Sequence, residues 1–188
     1  MAARALPLPL AQLPNALTVG RLLLIPIFLA LVLSADGGHT WAGGVVFAAA
    51  GATDQLDGWL ARRWRVESEF GKIADPLADR VMIDAAVILL WIADRLPWPA
   101  LAVILVRDVL LVAGYKAVVP HGYDFSVSFL GKAATWVLYA ALCLVLVTHN
   151  GTEWPLWLFW TGVGLALGAG LLYAAKAWRE VRAKGVRA

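Results

Sequence analysis

Apolar residues follow one another along this chain in long runs, and short polar or glycine-rich stretches separate the runs. Six of the runs approach the roughly 20 residues that a helix needs to cross the hydrocarbon core of a bilayer. We therefore predict six membrane-spanning helices, at residues 16–33, 40–62, 71–94, 99–119, 130–148 and 154–178. A helix satisfies the hydrogen bonds of its own backbone, and hydrocarbon offers no other partner for these groups.

The predicted fold is an all-α integral membrane bundle that forms one domain over residues 1–188. We expect residues 8–16 to form a short interfacial lead-in and residues 179–188 to form a basic tail. Composition agrees, because 61% of the residues are hydrophobic and 15% are charged. Soluble domains have about 45–50% apolar and about 25% charged residues. The composition excludes a disordered chain and argues against a nucleic-acid-binding protein, despite the net charge of +3.

Lysine and arginine residues are unevenly distributed between the two ends of the predicted helices. They cluster in the C-terminal tail, in the 62–72 connection and around the connection between the fourth and fifth spans. The three connections on the opposite side carry only Arg95. Because cytoplasmic loops are enriched in Lys and Arg, we expect both termini to be cytoplasmic in a multi-pass protein of the cell membrane.

The chain contains ten tryptophans, and their positions divide them into two groups. Six lie near the ends of apolar runs, where an indole ring favours the headgroup region: Trp41, Trp64, Trp98, Trp154, Trp157 and Trp178. The other four lie within the runs, and we expect them in the core of the bundle: Trp59, Trp91, Trp136 and Trp160.

Several carboxylates fall inside the predicted spans, where an ionised carboxylate is costly and indicates a functional role. Asp54 and Asp57 are three residues apart near the cytoplasmic end of the second span. Asp75 and Asp79 are four residues apart near the start of the third span. Helix positions with these spacings share a face, and the loop between the two spans is short. We therefore expect the two pairs to meet at the same depth.

Four carboxylates in one pocket require bound cations or shared protons. Their oxygen donors suit Mg²⁺ or Mn²⁺, and two such ions can clamp a diphosphate. Ion pairing with Arg62, Arg80 and Arg107 is one alternative, but it leaves the cluster short of cations at the same depth. A divalent-cation or proton transporter is another alternative, although few polar residues continue outward beyond Asp84.

The aspartates belong to a longer motif, DxxDGxxAR followed by eight residues and then GxxxDxxxD, over residues 54–79. All eight fixed positions are present, and the motif resembles the signature of the CDP-alcohol phosphotransferase family. Members of that family replace CMP in a CDP-linked lipid with an alcohol and use two divalent metal ions. The resemblance therefore implies a transferase of phospholipid biosynthesis that acts on membrane lipids and forms a homodimer.

The resemblance also implies a role for each motif residue. Two Mg²⁺ or Mn²⁺ ions are expected to bind Asp54, Asp57, Asp75 and Asp79. Asp79 is also expected to be the general base that deprotonates the acceptor hydroxyl. The CDP site is expected to be shaped by Gly58, Ala61, Arg62 and Gly71.

The acceptor alcohol is less closely defined. Segments 13–21 and 75–80 resemble bacterial phosphatidylglycerophosphate synthases and CDP-type cardiolipin synthases. We expect CDP-diacylglycerol as the donor and glycerol-3-phosphate as the acceptor, with phosphatidylglycerol as the alternative acceptor. The Arg107–Asp108 pair resembles the cardiolipin synthases, whereas glycerophosphate enzymes often have Arg-Glu at this place.

Both acceptors carry a phosphate, so a cationic pocket is expected beside the metals. Arg21, Arg107 and Lys132 are the candidates, because each falls in the cytoplasmic half of a predicted span. The alternative is that they snorkel to the interface, and this is favoured more for Arg21 than for Arg107. Asp84 lies outside the motif, and we expect it to form a structural hydrogen bond or ion pair.

Overall fold

The computed structural model describes residues 13–64, 69–118 and 129–185, and within them it contains six α-helices and no strand. The helices are α1 (Leu13–Leu33), α2 (Trp41–Trp64), α3 (Glu69–Ile92), α4 (Trp98–Val118), α5 (Phe129–Val147) and α6 (Trp154–Gly185). A single 3₁₀ turn, Asp36–Gly38, lies between α1 and α2. The all-helical prediction is confirmed for this part of the chain.

Each predicted span coincides with one helix, and the largest differences are at the two ends of the chain. Helix α1 begins at Leu13, so residues 13–16 of the expected lead-in continue the first helix, and residues 8–12 lie outside the described residues. Helix α6 continues to Gly185, well beyond residue 178. Residues 179–185 are rich in Arg, Glu, Ala and Lys, which favour helix in water as well as in lipid.

Within the described residues, three helices are long and apolar enough to cross a membrane, which indicates a membrane protein. The apolar segments are Ala16–Leu33, Phe129–Val147 and Trp154–Lys176. Helices α2, α3 and α4 contain 24, 24 and 21 residues, but charged residues interrupt their apolar sequence. The apolar part of α2 ends at Thr53, directly before the first motif aspartate. The motif is therefore carried by helices whose composition departs from that of an ordinary span.

Side chains from all six helices meet in one apolar core. Phe28, Phe47 and Tyr139 form a series of tilted rings, with centroid distances of 5.4 and 4.9 Å. Helix α6 packs closely on α5 at Gly162, where an added Cβ would lie 3.0 Å from Leu138 Cγ. Small residues at such crossings let helix backbones approach one another.

The α1–α2, α3–α4 and α5–α6 connections meet at the C-terminal end of α5. A helix end leaves its last four carbonyls without partners inside the helix. Here the carbonyls of residues 145–148 accept hydrogen bonds from Arg95 Nη2, His39 Nε2 and the Thr40 amide. The His39 ring also stacks on His149 at 4.7 Å, and burial lowers the pKa of Arg95. These bonds tie the three connections into one end of the bundle.

The tryptophans follow the prediction at the helix ends but not within the helices. Trp41, Trp98 and Trp154 are exposed and begin the three helices that start at this same end of the bundle. The core assignment is wrong for three mid-run tryptophans, which are 40–53% exposed: Trp91, Trp136 and Trp160. The outer face of a membrane bundle meets lipid, so an apolar ring is stable there. Three side chains lie outside the described residues: Trp59, Trp64 and Trp178.

The substitution Gly38→Ala is expected to destabilise the fold by about 1–3 kcal/mol. Gly38 has a φ of +67°, and an added Cβ would lie 2.6 Å from Ala93 Cβ. The measurement is the midpoint of thermal unfolding in detergent. Gly151→Ala is the matched control, because its φ is +87° and nothing lies within 4 Å of an added Cβ. Equal losses in the two variants would contradict a role for the close approach to Ala93.

Candidate active site

The motif lies at the facing ends of two consecutive helices. Asp54 and Asp57 are in the C-terminal half of α2, and Asp75 and Asp79 are in the N-terminal half of α3. The backbone is helical at all four positions, so the spacings of three and four residues do place each pair on one face. The four side chains and residues 65–68 lie outside the described part of the structure. The metal coordination predicted for them stays a prediction.

The four residues predicted to shape the CDP site also lie on these helices: Gly58, Ala61, Arg62 and Gly71. Their contacts lie outside the described residues as well. Among the side chains that are described, no group of three or more His, Cys, Asp or Glu could hold a metal ion. The motif aspartates are not among those side chains, so this finding does not bear on them.

Helix α1 packs against both motif helices, and it contributes two buried polar side chains. Thr18 and Arg21 are three residues apart on one face of α1, and each is only 1% exposed. A side chain that snorkels reaches water or the interface with its charged end. Burial inside the bundle contradicts that alternative for Arg21. Arg21 therefore remains a candidate for an interior anion site.

An ion-pair network joins α3 to α4 immediately beyond the motif. Asp108 Oδ1 accepts hydrogen bonds from Arg80 Nη1 at 2.8 Å and from Arg107 Nη1 at 2.9 Å. The Asp108 side chain is 8% exposed, and the Arg107 side chain is 16% exposed. The sequence offers Arg80 and Arg107 as possible partners of the motif aspartates. Each has a described partner in Asp108, which lies outside the motif.

Asp84 lies beside this network. Its carboxyl group is within electrostatic range of Asp108, Arg80 and Arg107. The formal charges of the two arginines and the two aspartates sum to zero, and buried charges need such opposite partners. Three buried polar atoms of the group have no hydrogen-bond partner among the described residues: Asp84 Oδ1, Arg107 Nε and Asp108 Oδ2. The network therefore has spare donor and acceptor capacity in its interior.

Lys132, the third candidate for an acceptor phosphate, is exposed near the start of α5. It differs in this respect from Arg21, which is buried, and from Arg107, which is half-buried and bonded to Asp108. The three cations predicted as one group therefore occupy different environments. The buried and half-buried arginines are better shielded from solvent than the lysine.

An apolar groove runs between α2 and α5, one helical turn before the first motif aspartate. Its volume is about 200 Å³, and Ala48, Gly51 and Ala52 form its α2 side. Trp136 and Tyr139 contribute rings from α5. An added Cβ at Gly51 would lie 2.9 Å from the Tyr139 ring, so glycine lets this ring pack against the α2 backbone.

Comparison with known proteins identifies the family. Residues 11–168 match the CDP-alcohol phosphatidyltransferase family. The chain belongs to this family. The resemblance inferred from the eight fixed positions of the motif is thereby confirmed, and membership in this phosphatidyltransferase family supports a transferase enzyme.

Curated members of the CDP-alcohol phosphatidyltransferase family are similar over most of the chain. A Streptomyces coelicolor protein named cardiolipin synthase (CMP-forming) is 38% identical over 91% of this chain and 85% of its own length. A probable phosphatidylglycerophosphate synthase of Mycobacterium tuberculosis is 38% identical over 76% of this chain and 69% of its own. Bacillus subtilis CDP-diacylglycerol–glycerol-3-phosphate 3-phosphatidyltransferase is 31% identical over 91% of this chain and 97% of its own length. Identity alone does not separate the two acceptors.

Family membership also bears on the transporter alternative, which requires polar groups to continue toward the outer side. Beyond Asp84, α3 continues to Ile92 with Ala, Val, Ile, Leu and Trp residues only. Ala86, Val87 and Leu90 among them are fully buried. No polar path leads outward along this described part of α3. Both observations favour a transferase over a relay for ions.

Proposed function

We propose that this protein transfers the phosphatidyl group of CDP-diacylglycerol to glycerol-3-phosphate, which releases CMP and forms phosphatidylglycerophosphate. The observation that carries this proposal is the complete aspartate motif on α2 and α3 in a member of this family. Relatives named for this reaction, such as the Bacillus subtilis protein, support glycerol-3-phosphate as the acceptor. The reaction belongs to phospholipid biosynthesis.

In the proposed reaction an acceptor hydroxyl oxygen attacks the phosphorus atom that carries diacylglycerol. The new P–O bond replaces the P–O bond to CMP, and CMP leaves with the electron pair of the broken bond. The Asp79 carboxylate takes the proton from the attacking hydroxyl. A carboxylate is a weak base, so the hydroxyl must lie within hydrogen-bond reach of it. Positioning of the two substrates then supplies much of the rate acceleration.

Asp54, Asp57, Asp75 and Asp79 would hold two Mg²⁺ or Mn²⁺ ions, since a set of four carboxylates fits hard divalent cations. When bound, such ions neutralise charge on the diphosphate and on the departing phosphate. Among the motif residues predicted to shape the CDP site, Arg62 can bind phosphate oxygens through its guanidinium. The two glycines and the alanine there leave room for the headgroup beside the backbone.

Arg107 is the best-supported residue for the acceptor phosphate. One edge of its guanidinium is held by Asp108, while its buried Nε has no hydrogen-bond partner among the described residues. A buried donor without an acceptor is costly, and a phosphate oxygen would satisfy it. The burial of Arg21 supports a second cation in the interior, and Lys132 would act from the exposed start of α5.

A specific observation favours a second candidate, a cardiolipin synthase that uses phosphatidylglycerol as the acceptor. The relative of that name from Streptomyces coelicolor is 38% identical over 91% of this chain. The Arg107–Asp108 pair also resembles those enzymes. The donor, the motif chemistry and the release of CMP would be the same, so the two candidates differ in the acceptor alone.

We further propose a multi-pass protein of the cell membrane with six spanning helices, cytoplasmic termini and an active site that faces the cytoplasm. The distribution of cations supports this orientation. Arg95, the one cation in the three opposite connections, is buried and bonded to backbone carbonyls. Trp41, Trp98 and Trp154 at the same end fit a membrane interface. A homodimer is proposed from the family resemblance alone.

The deciding experiment measures CMP release by the purified protein in lipid nanodiscs with CDP-diacylglycerol and Mn²⁺. Glycerol-3-phosphate, phosphatidylglycerol and glycerol are offered as acceptors in separate reactions. We expect CMP with glycerol-3-phosphate and none with glycerol, because glycerol lacks the phosphate that the arginines bind. Release with phosphatidylglycerol instead identifies the second candidate. A protein that releases no CMP with any acceptor is not this transferase.

A further inference from the structure

We propose that Asp108 is a positioning residue, which sets the orientation of α3 and thereby the location of Asp79. This inference rests on the proposed function. Asp108 belongs to α4 and lies outside the family motif, and it is assigned no contact with either substrate. Its effect on the reaction would pass through Arg80, the residue that directly follows Asp79 on α3.

The contacts of Asp108 make it suited to this role. A single oxygen, Oδ1, accepts hydrogen bonds from Arg80 of α3 and Arg107 of α4, at 2.8 and 2.9 Å. The residue is only 6% exposed, so water screens these charge-assisted bonds weakly. Asp84, one helical turn beyond Arg80, interacts with the same group. The link between α3 and α4 is therefore short and charged, and it is buried at Asp108 while the Arg80 side chain is 31% exposed.

The position of Arg80 turns this link into a constraint on the proposed general base. Neighbouring residues of an α-helix are separated by about 100° around its axis, because a turn contains 3.6 residues. A rotation of α3 that moves Arg80 away from Asp108 must rotate position 79 through the same angle. A misplacement of about 1 Å at a reacting group can lower a rate by about 100-fold. Asp108 can therefore change the reaction rate through the position of Asp79, without contacting a substrate.

The variant Asp108→Asn tests the inference, since it keeps the side-chain size and removes the charge. We expect kcat for CMP release to fall by about 10- to 100-fold, as for other supporting residues of metal sites. The KM for CDP-diacylglycerol should change by a smaller factor than kcat, because three of the four residues predicted to shape that site, Gly58, Ala61 and Arg62, lie on α2. Mn²⁺ binding, followed by electron paramagnetic resonance without substrate, should weaken by about 10-fold, because α3 also carries two metal-binding aspartates.

Two further variants separate positioning from general destabilisation. Asp108→Glu retains a carboxylate and should recover most of the kcat that Asp108→Asn loses. Asp36→Asn is the matched control, since Asp36 is exposed in the 3₁₀ turn at the other end of the bundle. It should leave kcat and Mn²⁺ affinity unchanged. Thermal midpoints of all variants show whether each is folded at the assay temperature.

Normal kcat and Mn²⁺ affinity in Asp108→Asn would overturn the inference, as would a rise in the acceptor KM with unchanged kcat. If Asp108→Asn does not fold, the variant Arg80→Gln tests the inference instead. It removes the bond from α3 to Asp108 and leaves the bond between Arg107 and Asp108 intact. Wild-type behaviour of folded Arg80→Gln overturns the inference. Failure of the proposed function can be told apart from failure of this inference. In the first case the wild type itself releases no CMP, and the Mn²⁺ measurement on Asp108→Asn still tests positioning.

Discussion

Asp79→Asn is expected to lower CMP release by about 10²- to 10⁴-fold, the range that a general base contributes. The amide keeps the shape of the carboxylate but cannot take the proton of the attacking hydroxyl. Mn²⁺ should still bind, because Asp54, Asp57 and Asp75 retain their carboxylates. A folded variant that binds metal and does not turn over would separate the base from the metal ligands. The measurements are single-turnover CMP release and Mn²⁺ binding.

The control for this variant is Asp94→Asn in the α3–α4 connection. Asp94 is exposed and has a φ of +55°, a conformation that Asn adopts as readily as Asp. Its substitution should leave both activity and metal binding unchanged. If Asp79→Asn retained the wild-type rate, Asp79 would be excluded as the base, although the transfer reaction itself would stand.

The helices were predictable because hydrocarbon restricts what the backbone can do. An apolar run in a bilayer must satisfy its own hydrogen bonds, so each of the six runs corresponds to one helix. The end of α6 was less predictable, because residues 179–185 have helical propensity without an apolar pattern. The mid-run tryptophans were misassigned for a related reason. The outer surface of a membrane bundle is also apolar, so hydrophobicity does not distinguish it from the core.

The site was predictable where it depends on local spacing and not where it depends on tertiary contacts. The pairs Asp54–Asp57 and Asp75–Asp79 follow from helix periodicity, which the structure bears out at the level of the backbone. The Arg80–Asp108 bond joins residues 28 positions apart on different helices. Composition shows that a buried acid needs a cation, but several arginines were available. Only the packing of α3 against α4 brings Arg80 to Asp108, which also binds its neighbour Arg107.

Removal of divalent metal is expected to abolish CMP release and to destabilise the protein. The four motif aspartates repel one another when no cation lies between them. A ligand at 100 times its dissociation constant stabilises a folded protein by about 2.7 kcal/mol, so chelation should lower the thermal midpoint. We expect Mg²⁺ or Mn²⁺ to restore both properties after treatment with EDTA. Ca²⁺ should restore activity poorly, because it is larger and its coordination is less regular.

The variant Asp57→Asn provides the matched comparison for metal removal. It removes one carboxylate from the proposed site, so the repulsion that metal relieves is smaller. The fall in thermal midpoint on chelation should therefore be smaller than in the wild type, and Asp36→Asn should respond as the wild type does. Full CMP release after exhaustive chelation would contradict the metal proposal. The transfer would then have to depend on protonated aspartates and arginines alone, since shared protons are the other way in which four carboxylates can coexist at membrane depth.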